Sequence, residues 1–139
     1  MSEVLIDTSV WIDFFGGRAL SHVSELTRLI EEDENLCTTG VILTELFQGI
    51  RSDTQYRKTE EYFGALIYLP MTEAIFVSAA ALYRMLRKKR VTIRQPVDCM
   101  IASVAIDYAI PLLQNDRDFD QIAKHSKLRI WKPRTRVAR

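Results

Sequence analysis

The segment Val4-Leu5-Ile6-Asp7-Thr8-Ser9 joins three apolar residues to an aspartate and two hydroxyl side chains. Three consecutive apolar residues, two of them β-branched, predict a short buried strand. In an open parallel sheet, ligands bind at the carboxyl ends of the strands, so Asp7 would lie at the edge where chemistry takes place. Asp7 could instead serve only as the N-cap of a helix that starts near Ser9. This segment alone leaves both interpretations of Asp7 open.

Strand and helix patterns alternate along the rest of the chain. After the first strand, short apolar segments predict strands at 36–39, 66–69, 111–114 and 128–131. Between the strands, the spacing of apolar residues and the helix start and stop signals predict helices at 10–15, 20–32, 41–50, 54–65 and 72–89. Another helix is predicted to start at Pro96, and a short one to end near residue 124. This alternation predicts an α/β fold, in which a mainly parallel sheet of about five strands lies between layers of helices.

The length of 139 residues and the apolar content of 47% predict one ordered globular domain that covers residues 1–139. No run of 18 apolar residues is present, so we expect no transmembrane helix, and the N-terminus lacks the pattern of a signal peptide. Cys37 and Cys99 are far apart and outside any CxxC pattern, which is typical of reduced core thiols in a cytoplasmic protein.

Basic residues are unevenly distributed, although the net charge is only +1. One cluster, which we call the basic run, comprises Arg84, Arg87, Lys88, Lys89, Arg90 and Arg94. A second lies beyond Asp120, after which the sequence contains no acid, and it includes a basic tail at 132–139 that we expect to be flexible. Both clusters could hold a phosphate backbone. Alternatively, the basic run complements a helix dipole and the tail is simply solvated.

Acidic residues lie next to the predicted sheet edge at four places in the chain. Asp7 ends the first strand, Glu45 lies in the helix after the second strand, and Asp98 opens the helix before the fourth strand. Asp116 and Asp118 follow the fourth strand at once. Each acid has an ordinary alternative role as a helix cap, a first-turn acid or a solvated side chain. Glu45 and Asp98 have apolar neighbours in sequence, however, which favours a shared site.

Carboxylates that converge at one edge would repel one another and raise one another's pKa values, and a divalent cation relieves that repulsion. Oxygen ligands without His or Cys favour Mg²⁺ or Mn²⁺ over zinc. The two histidines, His22 and His125, lie outside the acidic segments, which excludes the usual zinc spacings and disfavours a Ser-His-Asp hydrolase. A cation held by carboxylates is suited to phosphodiester hydrolysis, because it activates water without a side-chain nucleophile.

Four motifs carry these acids in order across nearly the whole chain. They are Leu5-Ile6-Asp7-Thr8-Ser9-Val10-Trp11-Ile12, Thr44-Glu45-Leu46-Phe47-Gln48-Gly49, Asp98-Cys99-Met100-Ile101-Ala102 and Asn115-Asp116-Arg117-Asp118-Phe119. In order and spacing the motifs resemble those of PIN-domain ribonucleases, most closely the VapC-type toxins of prokaryotic type II toxin–antitoxin pairs. The resemblance implies a three-layer α/β/α sandwich and a cytoplasmic endoribonuclease that hydrolyses RNA with Mg²⁺ or Mn²⁺. Transfer RNA or another structured RNA would be its substrate.

The same resemblance implies which acids bind the cation. Asp7, Asp98 and Asp116 would be the ligands, and Glu45 would complete the catalytic site directly or through water. Asp118 would be a supporting acid. Because two aspartates occur in the fourth motif, the sequence leaves open which of them is the fourth core acid, and we favour Asp116.

Further implications concern supporting residues and partners. Thr8 or Ser9 would orient Asp7 or a metal-bound water, Asn115 would support the fourth motif, and the basic run would bind RNA. The resemblance implies a homodimer that is neutralised by a small VapB-like antitoxin and does not associate with membranes. We expect the antitoxin to dock on apolar surface near four aromatic side chains, Trp11, Phe14, Phe15 and Phe47.

Two other function classes fit parts of the pattern. A Mg²⁺-dependent phosphoryl-transfer domain would use Asp7 as nucleophile, but no Asp-x-Asp follows the first strand, and Lys124 and Lys127 are poorly placed to assist. A non-catalytic RNA-binding module could keep the fold, but a degenerate site should have lost an acid. A covalent aspartyl phosphate would support the first alternative, and RNA binding without cleavage in Mn²⁺ would support the second.

Overall fold

A computed structural model describes residues 3–134 of the chain. Strands and helices alternate from the N-terminus, as the sequence predicts. In chain order the elements are β1 (Glu3–Ile6), α1 (Thr8–Phe15), α2 (Ser21–Glu31), β2 (Asn35–Thr39), α3 (Gly40–Phe47), α4 (Asp53–Phe63), β3 (Ile67–Leu69), α5 (Glu73–Lys88), α6 (Pro96–Asp107), β4 (Leu112–Leu113) and α7 (Arg117–Lys124).

The central sheet is parallel, with the strand order β3-β2-β1-β4 in the described part of the chain. Strand β1 lies inside it, where Leu5 pairs with Cys37 of β2 on one side and with Leu112 of β4 on the other. All three apolar residues of its opening segment are fully buried. A strand buried on both faces reads as a continuous apolar run, and helices flank the sheet. The predicted α/β/α fold is therefore confirmed.

The segment 128–131, predicted to be the fifth strand, does not form a continuous strand. Only a single parallel bridge joins Ile130 to Leu112. The amide of Leu112 donates to the carbonyl of Arg129 at 2.9 Å, and the amide of Trp131 donates back to Leu112 at 2.8 Å. Because β4 itself is only two residues long, it offers room for one bridge on this side. The sheet described here thus has four strands instead of about five.

Two helices differ from their predicted limits or faces. Helix α3 ends at Phe47, not at residue 50, and Gly49 follows it in a turn. Helix α6 is buried on most of its circumference, because it packs against α5 on one side and contacts α3 and α7 on others. Ile101 and Val104 of this helix are buried, whereas Val97 in its first turn and Tyr108 just after it are only half-buried. Both cysteines are free and buried, as expected.

The chain segment after the isolated bridge is fixed to α2 by Glu25. This side chain is 0% exposed and accepts hydrogen bonds from Trp131 Nε1 at 2.6 Å and from the amide of Arg134 at 3.1 Å. It also pairs with Arg28 at 2.7 Å. The start of the tail that we expected to be flexible is therefore anchored through Arg134, and residues 135–139 lie outside the described residues. Within 3–134, no helix combines the length and apolar character needed to cross a bilayer.

Glu25→Ala is expected to lower the free energy of unfolding by about 3 kcal/mol, because it removes a buried acceptor and leaves its donors without their partner. Glu32→Ala is the matched control, since Glu32 pairs with the same Arg28 at 2.9 Å but its side chain is 52% exposed. The control substitution should lower the free energy of unfolding by less than about 1 kcal/mol. Urea unfolding of both variants measures the difference, and equal losses would contradict the anchoring role of Glu25.

Candidate active site

The acids singled out in the sequence meet at the carboxyl edge of the parallel sheet. Asp7 directly follows β1, and Asp116 and Asp118 follow β4 at the start of α7. Asp98 lies in the first turn of α6. Glu45 reaches the same edge from α3, where its charge acts on both Asp7 and Asp98. Parallel neighbours place their carboxyl ends side by side, which is why acids so distant in sequence converge.

Asp7 is the N-cap of α1 and also lies at the carboxyl end of β1. Its carboxylate caps α1 by accepting from the amide of Ser9 at 3.0 Å, and it also accepts from Ser9 Oγ at 2.6 Å. The side chain is nevertheless buried. Burial is the main cause that raises the pKa of Asp7 to about 6, the bonds from Ser9 oppose that rise, and the charge of Glu45 adds to it.

Asp98 carries the larger pKa shift. The pKa of Asp98 is raised from 3.8 to about 7, and the largest cause is burial, since only 8% of the residue is exposed. Neighbouring negative charges add to this rise, first that of Asp7 and then that of Asp116. A carboxyl that is desolvated and surrounded by other acids holds its negative charge poorly unless a cation is supplied. Perturbed acids of this kind are typical of functional sites.

Within residues 3–134, one group of acids offers oxygen atoms that all lie within 4.8 Å of one another: Asp98, Asp116 and Asp118. Asp7 and Glu45 are outside this group, although both act electrostatically on Asp98. The donors are carboxylate oxygens, as hard divalent cations prefer, and the mutual repulsion of the acids is what such a cation relieves. The residues present therefore fit a divalent metal ion that prefers oxygen ligands, and the group lacks the Cys and His ligands that are usual at zinc sites.

Two hydroxyl side chains and one backbone amide connect the acidic edge. Thr8 Oγ1 donates to Glu45 Oε1 at 2.8 Å, which joins the start of α1 to α3. Ser9 Oγ donates to Asp7 and accepts from the amide of Asn115 at 3.2 Å, so it joins β1 to the segment after β4. The predicted supporting residues Thr8, Ser9 and Asn115 are thus brought together with the acids.

Comparison with known families identifies this arrangement. A family model described as the PIN domain matches residues 4–125, the range that contains all of these acids. The chain belongs to the PIN domain family.

Relatives of this PIN domain carry a more specific name. The VapC ribonuclease Mb1587 of Mycobacterium bovis and the ribonuclease VapC11 of Mycobacterium tuberculosis are each 33% identical to it over 127 residues. The matches cover 90% of this chain and 95% of each relative, which makes this chain a VapC-type PIN domain. Among solved structures, VapBC2 of Rickettsia felis, bound to a DNA fragment from its promoter, superposes with a TM-score of 0.75. That match is 18% identical and covers 93% of this chain and 97% of the other.

Arg94 belongs to the acidic edge of the PIN domain, not to the surface of the basic run. Its guanidinium pairs with Asp116 at 2.9 Å and with Asp118 at 3.1 Å. The other members of the run are exposed at the end of α5 and just after it, with Arg87 lying over the ring of Tyr83. Sequence position could not separate Arg94 from the run, because its partners Asp116 and Asp118 lie more than 20 positions further along the chain.

Asp13 and His22 form a buried polar pair that was not predicted from the sequence. His22 Nε2 lies 2.7 Å from Asp13 Oδ2, and the side-chain amide of Asn115 donates to the same oxygen at 3.4 Å. His22 is therefore connected to the fourth motif through one carboxylate, although the sequence places it far from that motif. It is not part of the acid group, and it does not change the oxygen-only donor set.

The aromatic residues expected at a docking surface divide between core and surface. Trp11 itself is fully buried against Phe14, Phe15 and Phe63, so only its neighbours can contribute to a docking surface. A large aromatic ring within α1 packs onto neighbouring rings from α4 instead of facing solvent. Phe15 is exposed. It lines a groove of about 570 Å³ with other apolar residues of α1 and α3, and this groove reaches Glu45.

Proposed function

We propose that this chain is the toxin of a type II toxin–antitoxin pair and an endoribonuclease that hydrolyses RNA phosphodiester bonds with a Mg²⁺- or Mn²⁺-activated water. The observation that carries the proposal is the convergence of carboxylates from four parts of a VapC-type PIN domain at one sheet edge. The two mycobacterial relatives are named ribonucleases, which supports the activity. The Rickettsia structure pairs a VapC chain with a VapB chain, as the name VapBC2 indicates, which supports an antitoxin partner.

The acids have distinct tasks in this proposal. Asp98, Asp116 and Asp118 provide a compact set of oxygen ligands, which Asp7 joins from the end of β1. Glu45 contributes directly or through water and is held in place by Thr8. When bound, the divalent cation lowers the pKa of a coordinated water and neutralises charge on the phosphate. Ser9 fixes the Asp7 carboxylate through two hydrogen bonds, so that its position does not depend on the ion.

RNA is the proposed substrate, with transfer RNA or another structured RNA as its class. Five exposed basic side chains at the C-terminal end of α5 and just after it are suited to phosphates that flank the cleaved bond: Arg84, Arg87, Lys88, Lys89 and Arg90. Residues 91–95, which include Arg94, connect this end of α5 to the start of α6, where Asp98 lies. Recognition of a particular RNA uses unpaired bases and shape in addition to these charges.

Charge reversal of Arg87, Lys88 and Arg90 to Glu is expected to weaken RNA binding by about 100-fold or more and to flatten its salt dependence, because about three phosphate contacts are lost. The matched control reverses three exposed basic residues elsewhere, Arg51 and the pair Arg57 and Lys58 on α4, and so changes the net charge equally. Fluorescence anisotropy of labelled transfer RNA at several KCl concentrations measures both slopes. If RNA affinity depends equally on salt in the two triple variants, the basic run is only a solvated helix end.

Antitoxin and self-association complete the proposal. A VapB-like antitoxin would cover the apolar groove lined by Ile12, Phe15 and Leu46, which brings it next to Glu45. The chain would act in the cytoplasm as a homodimer, without membrane association.

Incubation of total RNA with purified, antitoxin-free protein tests the proposed function. Mapping of the new 5′ ends should show a few discrete cleavage positions, because a toxin that recognises a structured RNA cuts at defined places. Asp116→Asn should remove those ends. Binding of RNA without any new ends in Mg²⁺ or Mn²⁺ would instead support the non-catalytic RNA-binding module.

A further inference from the structure

Arg94 makes three hydrogen bonds to two of the acids at the candidate active site. Its backbone amide donates to Asp118 Oδ2 at 3.2 Å, and its Nε donates to the same oxygen at 3.1 Å. Its Nη2 donates to Asp116 Oδ1 at 2.9 Å. The Arg94 side chain is 61% exposed, whereas that of Asp118 is 8% exposed. A solvent-facing guanidinium thus contacts one buried carboxylate, that of Asp118, and one half-buried carboxylate, that of Asp116.

The same two carboxylates belong to the compact group that fits a divalent cation. Asp116 and Asp118 share that group with Asp98, and Arg94 neutralises them from the solvent side. A guanidinium and a divalent cation that draw on the same oxygens repel each other across a few ångströms. The two carboxylates therefore do not bind the Arg94 guanidinium and a divalent cation equally well at the same time. Binding of the cation weakens the ion pairs of Arg94, and the ion pairs weaken binding of the cation.

We propose that Arg94 is an exchangeable counter-ion, which neutralises Asp116 and Asp118 when no divalent cation is bound and turns to an RNA phosphate when those carboxylates bind the cation. The phosphate half of this inference rests on the proposed function, and the competition half does not. Arg94 is then a positioning residue that couples ion binding to substrate binding.

The Arg94 side chain can change partners without a change in the backbone. The backbone amide of Arg94 has its own bond to Asp118, which fixes the start of the turn into α6 independently of the side chain. Only the exposed part of Arg94 has to change rotamer. A guanidinium suits both positions, because its planar fork matches carboxylate and phosphate oxygens alike.

Mn²⁺ binding to protein stripped with EDTA, measured by isothermal titration calorimetry without RNA, tests the competition. Arg94→Gln should bind Mn²⁺ about tenfold more tightly than the wild type, because a positive charge next to the ligands is removed. Arg94→Lys keeps that charge and should stay within about threefold of the wild type. Arg57→Gln, an exposed arginine of α4, is the matched control and should leave the affinity unchanged. Unchanged or weaker Mn²⁺ binding by Arg94→Gln would overturn the exchange and leave Arg94 as a structural clamp.

RNA binding tests the phosphate half. Anisotropy of labelled transfer RNA, recorded in the binding phase before cleavage, should show about tenfold weaker binding by Arg94→Gln in Mg²⁺ and a smaller loss, within about threefold, in EDTA. An equal loss in both conditions, or no loss in either, would overturn the transfer of Arg94 to phosphate. If the wild type neither binds nor cleaves RNA, the proposed function and the phosphate half fail together, and the Mn²⁺ titration still decides the competition half.

Discussion

Asp98→Asn is expected to reduce RNA cleavage by about 10³-fold or more. Asp98 belongs to the compact acid group and has the most strongly perturbed carboxyl at the sheet edge, with a pKa raised to about 7 by burial and neighbouring acids. Asparagine keeps the size of the side chain but removes a negatively charged ligand. Stabilisation of transition-state charge by a bound cation amounts to several kcal/mol, and each 1.36 kcal/mol corresponds to about a factor of ten in rate. Single-turnover cleavage of transfer RNA measures the loss.

Asp107→Asn is the matched control for this variant. Asp107 is exposed and lies at the last position of the same helix, α6, so the substitution removes one charge away from the acids. It should keep cleavage within about threefold of the wild type, since exposed substitutions away from a site have small effects. Near wild-type cleavage by Asp98→Asn would show that this carboxylate is not a ligand of the catalytic cation.

The stability of the metal-free protein is expected to fall as the pH rises from about 4 to about 8. Asp98 has a folded-state pKa of about 7, above its ordinary value of 3.8. The folded protein therefore retains a proton that the unfolded chain releases. The stabilisation from that proton is complete below about pH 4 and is lost as the pH rises through 7, by at most about 4 kcal/mol. Asp7, with a pKa of about 6, adds a decrease of the same sign.

Urea unfolding in EDTA at several pH values measures this trend. Asp98→Asn should be more stable than the wild type at pH 8, and its stability should depend less on pH, because the buried charge is absent. Excess Mg²⁺ should cancel the higher stability of Asp98→Asn, because the wild-type carboxylates bind the cation more tightly and are stabilised by it. A wild-type stability that rises between pH 4 and 8 in EDTA would contradict the crowding of acids described here.

The sequence predicts the sheet and the convergence of the acids for sound physical reasons. A buried parallel strand must be a continuous apolar run, and Val4-Leu5-Ile6 has that form with Asp7 at its end. Because parallel strands end at the same edge, the acids that follow the adjacent strands β1 and β4 lie close together. The predicted strand at 128–131 forms only one bridge, because its neighbour β4 is only two residues long. The local pattern of 128–131 gives no information about the length of that neighbour.

Details that depend on side chains from distant elements could not be predicted. Asp118 was expected to be a supporting acid, yet its oxygen lies in the compact group with Asp98, because α7 turns that side chain inward. Arg94 pairs with residues more than 20 positions away, and nothing in its own segment signals this. His22 is connected to Asn115 only through Asp13, a link that exists once α1 and α2 have packed together.

Cleavage of transfer RNA by purified, antitoxin-free protein in Mg²⁺, in Mn²⁺ and in EDTA, with Asp7→Asn alongside, is the most direct test of metal-dependent ribonuclease activity. Asparagine is also a good N-cap, so Asp7→Asn should keep α1 intact while losing the charge at the end of β1. We expect discrete fragments from the wild type in Mg²⁺ or Mn²⁺, and no fragments in EDTA or from the folded variant. Cleavage that persists in EDTA, or that Asp7→Asn performs at a near wild-type rate, would contradict a metal-dependent nuclease built on this acidic edge.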